Sequence, residues 1–157
     1  MLGTLAKWLR ILGYDTLFDP ALDDHQLARL ARAQGRLLLT RDRELARRRG
    51  LHVLLISSEQ LDDQIQQVLA DLELEPERSF SRCPVCNEPL EPLAYEEARS
   101  RVPAYVARAH KTFHTCPACH RVYWRGSHWQ RMDEHLAHLQ LNDRPSKADG
   151  AVDETQE

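Results

Sequence analysis

Leu2, Leu5, Leu9 and Leu12 fall three or four residues apart with Lys7 and Arg10 among them, which predicts an amphipathic helix that Gly13 stops. Residues 14–18 read as a short extended piece leading to a turn at Asp19-Pro20. A second helix, capped by Asp23 or Asp24, carries Leu27, Leu30 and Ala31 on one face and ends at Gly35. Residues 37–40 and 53–56 are apolar runs with the length and flanks of buried strands. A helix over about residues 59–72 then buries Leu61, Ile65, Val68, Leu69 and Leu72, with Ser57 and Gln60 at capping-box spacing. The order helix, strand, helix, strand, strand, helix predicts a parallel α/β sheet, although it opens on a helix with no strand before it.

Pro76 and its polar neighbours read as a linker between a first unit, residues 1–76, and a second, residues 80–136. Residues 137–157 are expected to form a disordered tail, since the apolar period ends by about Leu141. Charge divides along the same lines. The whole chain of 157 residues has a formal charge of −3. Residues 1–79 hold 11 Lys/Arg against 13 Asp/Glu, and residues 80–136 hold 8 against 6. Neither balance argues for a nucleic-acid partner by charge alone. No apolar run approaches the roughly 20 residues of a membrane span. Lys7 and Arg10 break up the N-terminal apolar stretch, so no signal peptide is read there. The expectation is a cytoplasmic protein with no membrane partner, whose thiols stay reduced.

All four cysteines lie in two pairs, Cys83-Pro84-Val85-Cys86 and Cys116-Pro117-Ala118-Cys119. Two such tight turns supply the four tetrahedral thiolates that zinc prefers. The 29 residues between the pairs exceed the common spacing of roughly 15–20, so an insertion with a short helix near Val102-Pro103 is expected. Two disulfides are disfavoured in a reducing compartment, and a thioredoxin-like role needs one reactive pair rather than two matched ones. His114 and His120 flank the second pair, but four thiolates already fill the site, which makes the zinc structural.

In the first unit, Asp42 follows a buried strand, where open parallel sheets bind ligands. Asp19, Asp23 and Asp24 follow the preceding extended piece and are placed to converge on the same edge. Clustered carboxylates there suit Mg²⁺ or Mn²⁺ and phosphodiester hydrolysis. Two plainer roles stay open: Asp23 or Asp24 as a helix cap, and Asp42 as the cap of a short following helix. Arg41, Arg43 and the Arg47-Arg48-Arg49 run are either phosphate contacts or a solvated face.

Longer stretches carry a resemblance. Met1-Leu2-Gly3, Leu5-Ala6-Lys7-Trp8-Leu9-Arg10, Leu12-Gly13-Tyr14-Asp15-Thr16 and Leu37-Leu38-Leu39-Thr40-Arg41-Asp42 resemble PIN-like RNase domains. Cys83-Pro84-Val85-Cys86-Asn87 and Tyr123-Trp124-Arg125-Gly126-Ser127-His128-Trp129 resemble the zinc ribbon fused to them. This is the unit at the C-terminus of mutator-type exonucleases, the Mut7-C family, and the likeness covers about residues 1–136. It implies a PIN-like, Rossmann-like parallel-sheet domain followed by a small zinc ribbon, and metal-dependent cleavage of RNA. By position, Asp24, Asp42 and Glu44 resemble the family's acids and would bind Mg²⁺ or Mn²⁺. Arg41 and Arg43 would meet phosphates. His128 and Trp129 would either stack on RNA or pack the ribbon against the first unit.

One departure is large. The family pattern starts with a strand ending in an Asp just before Met-Leu-Gly, and the sequence given starts at Met1. A central strand and a principal metal ligand are thus expected to be missing from it, leaving unpaired strand edges. The expectation is a longer natural protein that is an active nuclease. The rival is a catalytically inactive RNA- or protein-binding module held together by its ribbon.

Overall fold

In a computed structural model, which describes residues 2–74 and 80–142, the chain is a mixed α/β protein with two small sheets. Helix α1, Gly3–Ile11, buries Leu5, Ala6 and Leu9 and ends in a Schellman turn. The Gly13 N–H donates to the Arg10 carbonyl and the Tyr14 N–H to the Leu9 carbonyl, each at 2.9 Å. Gly13 makes this possible with a φ of 94°, a region that side chains with a Cβ avoid.

The following residues 14–18 form no strand. Their backbone groups are taken by distant side chains instead: Arg10 Nε donates to the Thr16 carbonyl at 2.8 Å, and the Thr16 N–H donates to Asn87 Oδ1 at 3.0 Å. The expected first strand is therefore an irregular segment clamped by tertiary bonds.

Helix α2, Asp24–Gln34, settles which acid is the cap. Asp23 accepts from the Gln26 N–H at 2.8 Å while Gln26 Oε1 accepts from the Asp23 N–H at 2.9 Å, a complete capping box. Strand β1, Leu38–Thr40, pairs in parallel with β2, Val53–Leu55, across the short helix α3, Arg43–Ala46. Helix α4, Leu61–Asp71, starts two residues later than expected, and the Ser57–Gln60 box does not form. Ser58 replaces it, its Oγ accepting from the Gln60 N–H at 3.0 Å.

The second unit opens with the first cysteine pair and continues into β3, Glu91–Leu93, then helices α5, Tyr95–Ala98, and α6, Ala104–Ala109. Strands β4, Phe113–Thr115, and β5, Val122–Tyr123, complete an antiparallel sheet of order β3-β4-β5. Phe113, Val106 and Ala98 form its buried core.

The last helix, α7, runs Ser127–Asn142, so residues 137–142 are helical rather than the start of a tail; residues 143–157 and Pro76 lie outside the described residues. Leu136 and Leu139 of α7 join Leu5, Leu9, Leu12, Ile56, Ile65, Val68 and Leu69 in one core. The helix that follows the three-stranded sheet thus closes the core that α1 and α4 share. No described helix is long and apolar enough to cross a membrane.

Candidate active site and metal centre

The two cysteine turns are built alike. The Cys83 N–H donates to the Glu88 carbonyl at 2.8 Å and the Cys116 N–H to the Arg121 carbonyl at 3.0 Å. In each turn the residue after the second cysteine donates its N–H back to the first cysteine's carbonyl at 2.9 Å: Asn87 to Cys83, His120 to Cys116. Both of these residues take a left-handed conformation, with φ of 66° and 60°. Local hydrogen bonding therefore shapes each turn to present its two sulfurs on one side.

The four Sγ atoms lie within 4.8 Å of one another, and none is in a disulfide. Cys83 and Cys119 Sγ are 3.8 Å apart. A tetrahedral ion with metal–sulfur bonds of about 2.3 Å sets its ligands about 3.8 Å apart, so the donor set fits zinc. Without a cation the thiols work against one another. A hydrogen bond with Cys119, burial and neighbouring sulfur charge push the Cys86 thiol up to about 12. The Arg121 backbone brings Cys119 down to about 7. A divalent ion would replace the shared protons and hold all four as thiolates. Tyr123 Oη lies 3.1 Å from Cys83 Sγ and gives the sulfur an outer partner.

The centre is locked to α1. Arg10, 7% exposed, donates from one nitrogen to the carbonyls of Pro84 and Val85, both at 3.0 Å. Its guanidinium faces the turn that carries Cys83 and Cys86, where four thiolates on one zinc would leave net negative charge.

The acidic residues lie elsewhere. A cavity of about 1130 Å³ runs along β1 between α1 and α2, with Leu5, Leu9, Leu27 and Leu39 among its apolar walls. Asp19, Asp24, Asp42 and Glu59 line it as well. One edge of β1 is committed to β2: the Leu38 N–H donates to His52 and the Thr40 carbonyl accepts from Ile56. Among the described residues no strand pairs with the other edge, and all of β1 borders the cavity.

The structure brings Asp24 and Asp42 to this one cavity but leaves Glu44 outside its walls. Among the described residues the four cysteines are the only group of three or more potential ligands close enough to hold one ion. Asp42 also has the plainer role, accepting from the N–H groups of Glu44 at 2.6 Å and Leu45 at 3.1 Å to cap α3. Arg41 lines the cavity, with its NH2 nitrogen 2.8 Å from Glu59 Oε1, whose carboxyl that bond holds below its ordinary range. Arg43 is exposed on α3. His128 is exposed in the first turn of α7, but Trp129 is buried against Phe80, ring centroids 4.2 Å apart. The Phe80 N–H in turn donates to the Ile11 carbonyl at 2.6 Å, so Trp129 packs where stacking on RNA was the other expectation.

Sequence reasoning missed Arg10, Asp15 and Asn87, which join the two units. Asn87 carried a usable signal, since a left-handed residue after the second cysteine favours Asn. Its partners, more than seventy residues away, carried none.

A model of the Mut7-C RNAse domain family matches residues 1–136. The chain belongs to that family. No curated protein and no solved structure matches it.

Proposed function

We propose that this protein is a metal-dependent ribonuclease of PIN-like type whose four cysteines hold a structural zinc. The family match over residues 1–136 carries the reading. The shared cavity of Asp24 and Asp42 supports it. Magnesium and manganese usually bind through one or two carboxylates and complete their shell with water and substrate phosphate, so two acids lining one cavity suit them. Such an ion lowers the pKa of a bound water and stabilises the departing oxygen.

The chain's own residues position the reaction. The backbone N–H groups of Glu44 and Leu45 hold Asp42 Oδ1, fixing that carboxylate and leaving Oδ2 for other contacts. Asp24 stands in the first turn of α2 and lines the same cavity. In hydrolysis the water oxygen bonds to phosphorus, one P–O ester bond breaks, and the departing alkoxide takes a proton.

The test is Asp42→Asn. Asparagine retains an oxygen to cap α3, so stability should change by less than about 1 kcal/mol. Cleavage of single-stranded RNA in Mn²⁺ should fall below detection. Equal cleavage by mutant and parent would remove Asp42 from the site. A parent that binds RNA but never cuts it, at any Mn²⁺ concentration, would favour the inactive binding module instead.

A further inference from the structure

Charge in the ribbon unit is segregated more sharply than its total shows. From Ala98 to Met132 the chain has no Asp or Glu, but seven Lys or Arg and four His. The structure gathers part of this run on one face. Helix α6 buries Val106 and Ala107 and exposes Tyr105 and Arg108, which sit three residues apart and therefore side by side. Tyr105 is 69% exposed, more than any other large apolar side chain among the described residues.

Two cations, Arg108 and Lys111, mark the end of this helix. Lys111 Nζ lies 4.5 Å from the centre of the Tyr95 ring, whose hydroxyl donates to the Ala107 carbonyl at 2.9 Å. The ammonium is thereby held beside the C-terminal end of α6, next to Arg108. Arg125 is engaged elsewhere, its guanidinium carbon 5.4 Å from the centre of the Trp129 ring. Arg99 and Arg101, nearer the border of the run, are already paired with Glu96 and Glu97.

We propose that Tyr105, Arg108 and Lys111 form a track for single-stranded RNA, a base stacking on Tyr105 and phosphates following the two cations. The proposal rests on the ribonuclease reading for its partner, and on charge complementarity for its placement. A run of cations whose neighbouring acids, Glu96 and Glu97, are paired with Arg99 and Arg101 suits a polyanion. A bare aromatic ring suits an unpaired base, whose flat face a duplex keeps covered. The track is separate from the cavity that holds Asp24 and Asp42, so it would bring in substrate without touching the reacting atoms.

Fluorescence anisotropy on the full zinc-loaded chain, without Mg²⁺ or Mn²⁺, tests this with an end-labelled oligouridylate of about twelve nucleotides. Circular dichroism and zinc content check that each variant is folded. Y105A should weaken binding about tenfold and Y105F by less than about twofold, because stacking needs the ring and not the hydroxyl. The double variant R108Q/K111Q should flatten the slope of log K against log salt by about 1.4, at roughly 0.7 per phosphate contact.

Unchanged binding in Y105A and in the double variant would overturn the track. So would equal affinity for duplex RNA, or displacement of the RNA by polyglutamate at matched charge. Cleavage measured separately in Mn²⁺ distinguishes the two readings. Track-dependent binding with no cleavage would leave the track standing and remove the ribonuclease. Cleavage with unaltered binding in the track variants would do the reverse.

Discussion

Asn87 Nδ2 donates to Asp15 Oδ1 at 2.6 Å, a bond across 72 residues that joins the first cysteine turn to the segment after α1. The same side chain accepts from the Thr16 N–H, so one amide satisfies a carboxylate and a backbone donor. Its left-handed backbone follows from the turn that gathers the cysteines. Metal-centre geometry and the docking of the two units thus share a residue.

Asp15 makes that joint sensitive to acid. The hydrogen bond from Arg36, 2.7 Å to Oδ2, holds its carboxyl below the usual range against the opposing effect of burial, and Asn87 adds to the lowering. A carboxyl depressed in the folded state contributes stability that is full above its unfolded pKa of about 3.9 and is lost as pH falls through the folded value. Asp15→Asn should therefore be less stable than the parent above pH 5. The gap should close as pH drops below about 4. The Asp15 side chain is 43% exposed, so screening keeps the gap to about 1 kcal/mol or less. Urea midpoints of both proteins between pH 2.5 and 6 measure it, and metal loss in acid cancels in the difference. A gap that stays constant with pH would show that the carboxylate charge contributes nothing.

Metal removal should have a larger effect. The sheet β3-β4-β5 has strands of only two or three residues, and its core rests on Phe113, Val106 and Ala98. So small a unit needs a staple, and zinc binding in such modules is largely folding free energy. The protein should carry one zinc per chain. Chelation, or Cys116→Ser, should cost several kcal/mol, lowering Tm by about 10 °C or more at roughly 2–4 °C per kcal/mol. The near-UV circular dichroism of Tyr123, Trp124 and Trp129 should fall with it. A metal-free protein with the parent's Tm and aromatic signal would rule out a structural metal.

The parts of this architecture that depend on local spacing were legible in the sequence. Leu5 and Leu9 with the Gly13 stop, the α2 end at Gly35, both strands of the parallel pair and the paired cysteines all rest on interactions within a few residues. Failures came where distant groups compete for the backbone. Arg10 and Asn87 take the Thr16 carbonyl and N–H, and no pattern in residues 14–18 reveals that. The acids were only partly legible. Asp24 and Asp42 reach one cavity, but a preference for a strand end cannot say that Glu44 stays outside its walls. The α7 helix was not read from the sequence because charge and polarity mask an apolar stripe that is narrow, with Met132, Leu136 and Leu139 as its buried marks.

That stripe gives the last prediction. Leu136 is 3% exposed and packs with Leu5, Leu9 and Ile65, although it follows the whole ribbon in sequence. Polar ties reinforce the contact: Gln66 Nε2 donates to the Leu139 carbonyl at 3.0 Å, and His135 Nε2 meets Asp62 Oδ1 at 2.9 Å. Leu136→Ala leaves a cavity at this junction and should cost about 3 kcal/mol, within the range for buried leucines. Thermal unfolding should show a Tm fall of about 6–12 °C. His138→Ala, at an exposed position on the same helix, should change stability by less than about 0.5 kcal/mol. Hydrogen exchange locates the damage: amides of α1 and α4 should exchange faster in Leu136→Ala, with zinc content unchanged. If instead the zinc affinity falls while α1 and α4 keep their protection, α7 stabilises the ribbon and not the first core.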